Sequence, residues 1–173
     1  RLYREEGLTL RRKGPRRRRS AVRREKPVVK ADRPNERWAM DFMHDTLSGG
    51  DTIRVLTVLD VHTRECVTLV PGRRFTGDDV AAVLSEAGAA RSSLPSVISV
   101  DNGTEFTSKS LDHWAYWNRI KLDFSRPGKP TDNAHIEAFN SLVRRECLSQ
   151  HWCIDLEDAR RVLDRWRDDY NDV

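Results

Sequence analysis

Three short stretches of β-forming residues follow one another with no helical pattern between them: Trp38-Ala39-Met40-Asp41-Phe42-Met43, Ile53 to Leu59 and Glu65 to Val70. Ser48-Gly49-Gly50-Asp51 and Val61-His62-Thr63-Arg64 separate them at turn length, so they read as consecutive antiparallel-type strands. The period then changes. Thr76 opens a helix as N-cap, with Asp79 at the third helical position and Val80, Val83, Leu84 and Ala87 as the apolar stripe. Val97 to Val100 is a fourth strand, followed by a short helix capped by Thr107 or Ser108 with Leu111, Trp114 and Ala115 inside. Ile120 to Phe124 is a fifth strand. A long helix over roughly 132–149 follows the basic loop Arg126-Pro127-Gly128-Lys129-Pro130. A last helix, 156–170, aligns Leu156, Ala159, Leu163, Trp166 and Tyr170. The order β-β-β-α-β-α-β-α-α predicts an α/β fold, a five-stranded mixed sheet flanked by helices on both faces.

Charge divides the chain. Residues 1–38 carry 15 Lys/Arg against 5 Asp/Glu, and the remainder 16 against 22, within an overall net charge of +4. Residues 1–12 read as the end of a helix followed by a short extended piece; residues 13–34 hold Pro15, Pro27 and Pro34 and too little apolar surface to fold alone, so they read as a basic linker, with the globular part from about Asn35. A basic arm suits a polyanion. Arg16, Arg17, Arg18 and Arg19 are candidate phosphate contacts, with a merely solvated linker as the plain alternative. No apolar run approaches the roughly 20 residues of a membrane helix, and no signal-peptide pattern is visible. Cys66, Cys147 and Cys153 are scattered, and no Cys/His cluster suggests zinc. A cytoplasmic location is the expectation.

Three acids stand out. Asp41 interrupts a strand whose two faces are otherwise apolar, Trp38, Met40 and Phe42 on one and Ala39 and Met43 on the other. A charge there costs several kcal/mol unless compensated; a salt bridge to a sheet arginine is the plain alternative. Asp101 follows the fourth strand directly, where sites in α/β sheets gather, although Asp101-Asn102-Gly103 is also a natural turn. On the long helix, at about 100° per residue, Ile136, Phe139, Leu142, Val143 and Cys147 share one arc. Asn133, Glu137, Asn140, Ser141, Arg144 and Arg145 fill the other, which is either a solvated face or one suited to a polyanion. A strand, a strand end and a following helix can converge three carboxylates on one point. Oxygen ligands of this kind select Mg²⁺ or Mn²⁺ over zinc, and a pair of such ions suits phosphoryl displacement.

Between Asp101 and Glu137 lie 35 residues. This spacing, with WAMDF at the first acid, VDNGTEF at the second and PGKPTDNAHIEAFN at the third, resembles the retroviral-integrase-type transposase core. More narrowly it is similar to the second-frame transposases of the IS-three family of bacterial insertion sequences. VLTVLDVHTRE, LDHWAYWNRIKLDFSRPGKP, RRECLSQHW and RWRDDYN extend the likeness over about residues 34–172.

The resemblance implies an RNase H-like fold and a transposase/integrase activity using two Mg²⁺ or Mn²⁺ ions held by Asp41, Asp101 and Glu137. Water would release a 3′-OH at an element end, and that 3′-OH would attack target DNA. Lys129, Asn133, Asn140 and Arg144 are the expected DNA contacts near the site. Double-stranded DNA is the expected partner, bound by a homo-oligomer. The resemblance also implies that residues 1–34 contain the tail of an N-terminal helix-turn-helix region, and that 35–173 is a catalytic core cut short before an Arg-Pro-His segment.

Two other readings compete: an RNase H-like or Holliday-junction-type nuclease, and an inactive DNA-binding fragment. Among lesser candidates, Asp60 is expected to end a strand and Glu105 to hold a loop or a water. His135 is a possible DNA or water contact. Trp114, Trp117, Trp152 and Trp166 are expected in the core.

Overall fold

The computed structural model describes residues 31–126 and 133–172. Five strands form one sheet in the order β3-β2-β1-β4-β5. β1 (Arg37–Thr46) pairs antiparallel with β2 (Thr52–Asp60), from Trp38 opposite Asp60 to Thr46 opposite Thr52. β2 pairs antiparallel with β3 (Cys66–Gly72) across a bulge at Val58/Leu59. Pro71 is tolerated because β3 is an edge strand. On its other side β1 pairs parallel with β4 (Val97–Val100), but only from Arg37 opposite Val97 to Ala39 opposite Ser99. β4 pairs parallel with β5 (Lys121–Phe124). The mixed sheet is as expected, although β1 runs on to Thr46 because its turn begins only at Leu47, whose amide and carbonyl bond to Asp51 and Gly50.

Alternation along the strands builds two apolar layers. Trp38, Met40, Leu56, Val58, Ile98 and Val100 face α1 (Gly77–Ala90) and α2 (Lys109–Trp117). Ala39, Met43, Val55, Leu59 and Leu69 face α3 (Ala134–Glu146) and α4 (Leu156–Asn171). Thr76 caps α1 as expected: its hydroxyl accepts from the Asp79 amide at 3.2 Å, and the Asp79 carboxylate accepts from the Thr76 amide at 2.7 Å. Ser108, not Thr107, caps α2, accepting from the Leu111 amide. α1 starts at Gly77 against that cap; a Cβ there would lie 1.8 Å from Ser108 Oγ.

α3 stops at Glu146 rather than near 149. Cys147 is its C-cap, its amide still donating to the Val143 carbonyl, and a short 3₁₀ turn covers Leu148–Gln150. His151 Nδ1 donates to the Cys147 carbonyl and Gln150 Nε2 to that of Arg145, satisfying the freed acceptors. α4 is anchored at its far end, where the Asn171 amide pairs with both the N–H and the carbonyl of Cys66.

One expectation fails in part. Trp117 and Trp152 are 80% and 86% exposed, whereas Trp114 and Trp166 pack against the apolar layers. Trp117 is the last residue of α2, and Trp152 stands between the 3₁₀ turn and α4, where no facing element among the described residues arrives. Ahead of β1, Ala31 packs on the second layer and its carbonyl bonds His62 Nδ1. Arg16, Arg17, Arg18, Arg19 and Lys129 lie outside the described residues. No helix among those described is long and apolar enough to cross a membrane.

Candidate active site

β1 and β4 separate beyond Ala39 and Ser99. Asp41 and Asp101 each come two residues after that last pair, so both project from the sheet face that carries Ala39 and Ser99. α3 crosses the same face and brings Glu137 on its first turn. Asp41 is half-buried, whereas Asp101 and Glu137 are exposed.

The environment of Asp41 registers the other two acids. Its pKa is pushed up to about 6, first by burial, then by the charges of Asp101 and Glu137. The Phe42 amide, donating to Oδ1 at 2.7 Å, and the Asn140 amide, donating to Oδ2 at 2.9 Å, pull the other way without winning. No arginine of the sheet pairs with Asp41 among the described residues. Asp41 therefore lies within electrostatic reach of both other carboxylates. The three do not close on a point: among the described residues no three His, Cys, Asp or Glu side chains gather tightly enough to enclose an ion unaided.

Asp101 has the turn role as well, because its Oδ1 accepts from the Gly103 amide at 2.8 Å. A Cβ on Gly103 would sit 3.0 Å from that oxygen. Asn102 fixes the same turn to the end of β5 by donating to the Ser125 carbonyl. Asn140 Oδ1 is buried without a protein partner beside this acidic group. A surplus of negative charge, a carboxyl held out of its ordinary range and an unused buried acceptor together fit a hydrated divalent cation.

The expected DNA contacts are placed unevenly. Asn133 is buried, with its amide 3.5 Å from the Met40 carbonyl of β1. Asn140 is half-buried and engaged with Asp41. Arg144 is exposed, and its guanidinium donates to the His44 carbonyl at 2.7 Å. Asp60 ends β2 fully buried, accepting from the amides of Asn35, His62 and Thr63. His135 is half-buried, and burial, then the charge of Arg64, lowers its pKa.

Sequence reasoning left Arg54 out. Its guanidinium pairs with Glu105 and lies 3.9 Å above the Phe42 ring. That guanidinium carries Glu105 below the usual carboxylate range. An arginine alternating with apolar residues on β2 was the available signal.

This sheet order, with acids on β1, after β4 and on the helix that follows, defines an RNase H-like core of the integrase type. A model described as the integrase core domain matches residues 31–130, and a second with the same description matches 118–173. The chain belongs to the integrase core domain family, and the relatives it resembles are proteins of bacterial insertion elements.

It is 43% identical over 172 residues to the uncharacterized 31.7 kDa protein of insertion element IS407 from Burkholderia multivorans, covering 99% of this chain and 61% of that protein. It is 37% identical over 173 residues to the uncharacterized 39.2 kDa protein of insertion element IS476 from Xanthomonas euvesicatoria, covering 100% and 49%. The chain thus spans about half to three fifths of these relatives.

Among solved structures, the HTLV-2 integrase catalytic core domain in complex with magnesium matches with a TM-score of 0.57 at 16% identity, over 67% of this chain and 71% of that one. A chain of the simian T-cell lymphotropic virus intasome in complex with PP2A regulatory subunit B56 gamma matches at 0.60 and 23%, over 65% and 39%. At these identities the two likenesses carry the fold.

Proposed function

We propose that this chain is the catalytic core of an insertion-element transposase, a metal-dependent polynucleotidyl transferase that cuts at element ends and joins the 3′-OH to target DNA. Asp41, Asp101 and Glu137 are its metal-holding residues. The observation that carries this reading is the group itself: a half-buried carboxyl raised first by burial and then by two neighbouring carboxylates, on the face where β1 and β4 part. Two bound Mg²⁺ or Mn²⁺ ions would supply the charge that activates the attacking oxygen and stabilises the leaving one.

The chain's own residues do the rest. Asn140 and the Phe42 amide fix the orientation of Asp41, and the Gly103 amide fixes that of Asp101. Exposed Glu137 completes the set from the first turn of α3. Arg144 and Lys129, with Arg16, Arg17, Arg18 and Arg19, serve the phosphate backbone of double-stranded DNA. No side-chain nucleophile is needed, since water and then the DNA 3′-OH attack. The magnesium complex of the HTLV-2 core supports the choice of cofactor, and the viral intasome supports DNA and a multi-subunit assembly as partners. Residues 1–34 act as a basic linker, the described part of which joins the core, and 35–173 carry the catalysis.

The test is a strand-transfer assay with labelled duplex DNA and Mn²⁺. Asp101→Asn is expected to lower joining at least about 100-fold, the scale for losing a group that stabilises transition-state charge. Full joining by that variant contradicts the assignment. Cutting of RNA–DNA hybrids without DNA joining points instead to the nuclease reading.

A further inference from the structure

Backbone pairing cannot set the distance between Asp41 and Asp101, because the β1–β4 ladder ends at Ala39 and Ser99. Beyond that point side chains span the gap. Phe106, fully buried on the loop after β4, stacks on Phe42 of β1 with centroids 5.1 Å apart and planes 12° from parallel. Arg54, reaching over from β2, covers the Phe42 ring and ends on the Glu105 carboxylate. One guanidinium thus touches the residue after Asp41 and grips the loop that starts at Asp101.

Both partners are mostly shielded, with side-chain exposures of 23% for Arg54 and 15% for Glu105. The other Glu105 oxygen accepts from Thr104 Oγ1 at 3.1 Å, so the carboxylate is held on both sides. Its position beside Gly103 is close as well: a Cβ there would be 3.6 Å from Glu105 Oε2 and 3.0 Å from Asp101 Oδ1.

We infer that Arg54 and Glu105 form a positioning pair that fixes the Asp41–Asp101 separation where the sheet no longer does, and so tunes divalent-cation affinity. This rests on the reading of Asp41 and Asp101 as metal-holding residues. Neither member of the pair touches the ion. Arg54 acts through the Phe42 ring and Glu105 through the turn.

The choice of variant separates position from charge. Removing a cation near an acidic site should, by charge alone, tighten Mn²⁺ binding. Removing a positioning group should weaken it, by about tenfold on the scale of outer partners in metal sites. Mn²⁺ binding to the 173-residue chain is measured by electron paramagnetic resonance of free Mn²⁺, with amide hydrogen exchange of segment 101–107 recorded in metal-free protein.

Arg54→Gln is expected to weaken Mn²⁺ about tenfold and to speed exchange in that segment. Arg73→Gln, which removes a cation from an exposed pair with Asp51, is expected to do neither. Unchanged or tighter binding by Arg54→Gln overturns the inference. If Arg54→Gln does not fold, Arg54→Lys keeps the charge but loses the planar stack and fork; weaker binding supports the inference and wild-type binding overturns it. Should wild-type protein bind no Mn²⁺, or Asp101→Asn bind it as wild type does, the metal-site reading falls and takes this inference with it. Loss of binding by Asp101→Asn together with wild-type binding by Arg54→Gln removes the positioning pair alone.

Discussion

On one face of the sheet, residues of β1, β2 and β4 point into an apolar layer closed by α1 and α2. On the other face the apolar layer draws on β1, β2 and β3 with α3 and α4, and takes no residue from β4 or β5. There the β4–β5 side is polar. Arg37 donates to Ser99 Oγ and to the Asp123 carboxylate, both at 2.7 Å, and Asp41 and Asp101 follow along the same face. One face is spent on stability. The other is covered only half-way, and the acids stand at the edge of the cover. That edge is partly dry, which raises the Asp41 pKa, and partly open, which leaves Asp101 and Glu137 within reach of a ligand.

The sharpest way to break this contrast is to injure each face in turn. Leu84→Ala removes a fully buried side chain from the closed layer. It is expected to cost about 3 kcal/mol in a denaturant titration, as large-to-small changes in sealed cores do. Cation affinity of the surviving folded protein should be unchanged.

A smaller effect, of opposite sign, is expected at the edge. Asp41 titrates at about 6 in the folded chain against an ordinary 3.8. The native state therefore holds a proton that the unfolded state has released between those values, and stability falls as pH rises through that window. At neutral pH and without metal, Asp41→Asn should gain about 2 kcal/mol, with the gain shrinking as pH is lowered towards 4. A destabilised Asp41→Asn would mean that the carboxylate is satisfied as it stands. The smallest effect belongs to neither face: Trp117→Ser, at an exposed helix end, should stay within about 0.5 kcal/mol of wild type.

Strand alternation made the faces legible from the residues alone. Trp38, Met40 and Phe42 parted from Ala39 and Met43 as period two requires, and that same alternation exposed Asp41 as an intruder. Thr76 and Asp79 announced α1 because a capping box is local chemistry. The end of α3 was less legible. No Gly or Pro marks it, and His151 and Gln150 satisfy its carbonyls from outside the helix. Trp117 and Trp152 misled because a tryptophan at an element's end carries no sign of whether another element will cover it.

Asn133 stands on the polar arc of the sequence pattern, and tertiary packing buries it beside Met40. Arg54 could not be matched to Glu105 in advance, since 51 residues separate them and only the sheet brings them together. RWRDDYN acquired a structural meaning: Trp166 and Tyr170 pack with Phe139, and Asn171 closes on Cys66.

The central claim is that Asp41, Asp101 and Glu137 act as one cation site. Carbon-detected nuclear magnetic resonance of the aspartate carboxyl groups, titrated with and without saturating Mg²⁺, tests it most directly. Without Mg²⁺, Asp41 should titrate at about 6. With Mg²⁺ its midpoint should move well below that value, and Asp101→Asn should abolish the movement. An Asp41 titration that Mg²⁺ leaves in place would contradict the claim.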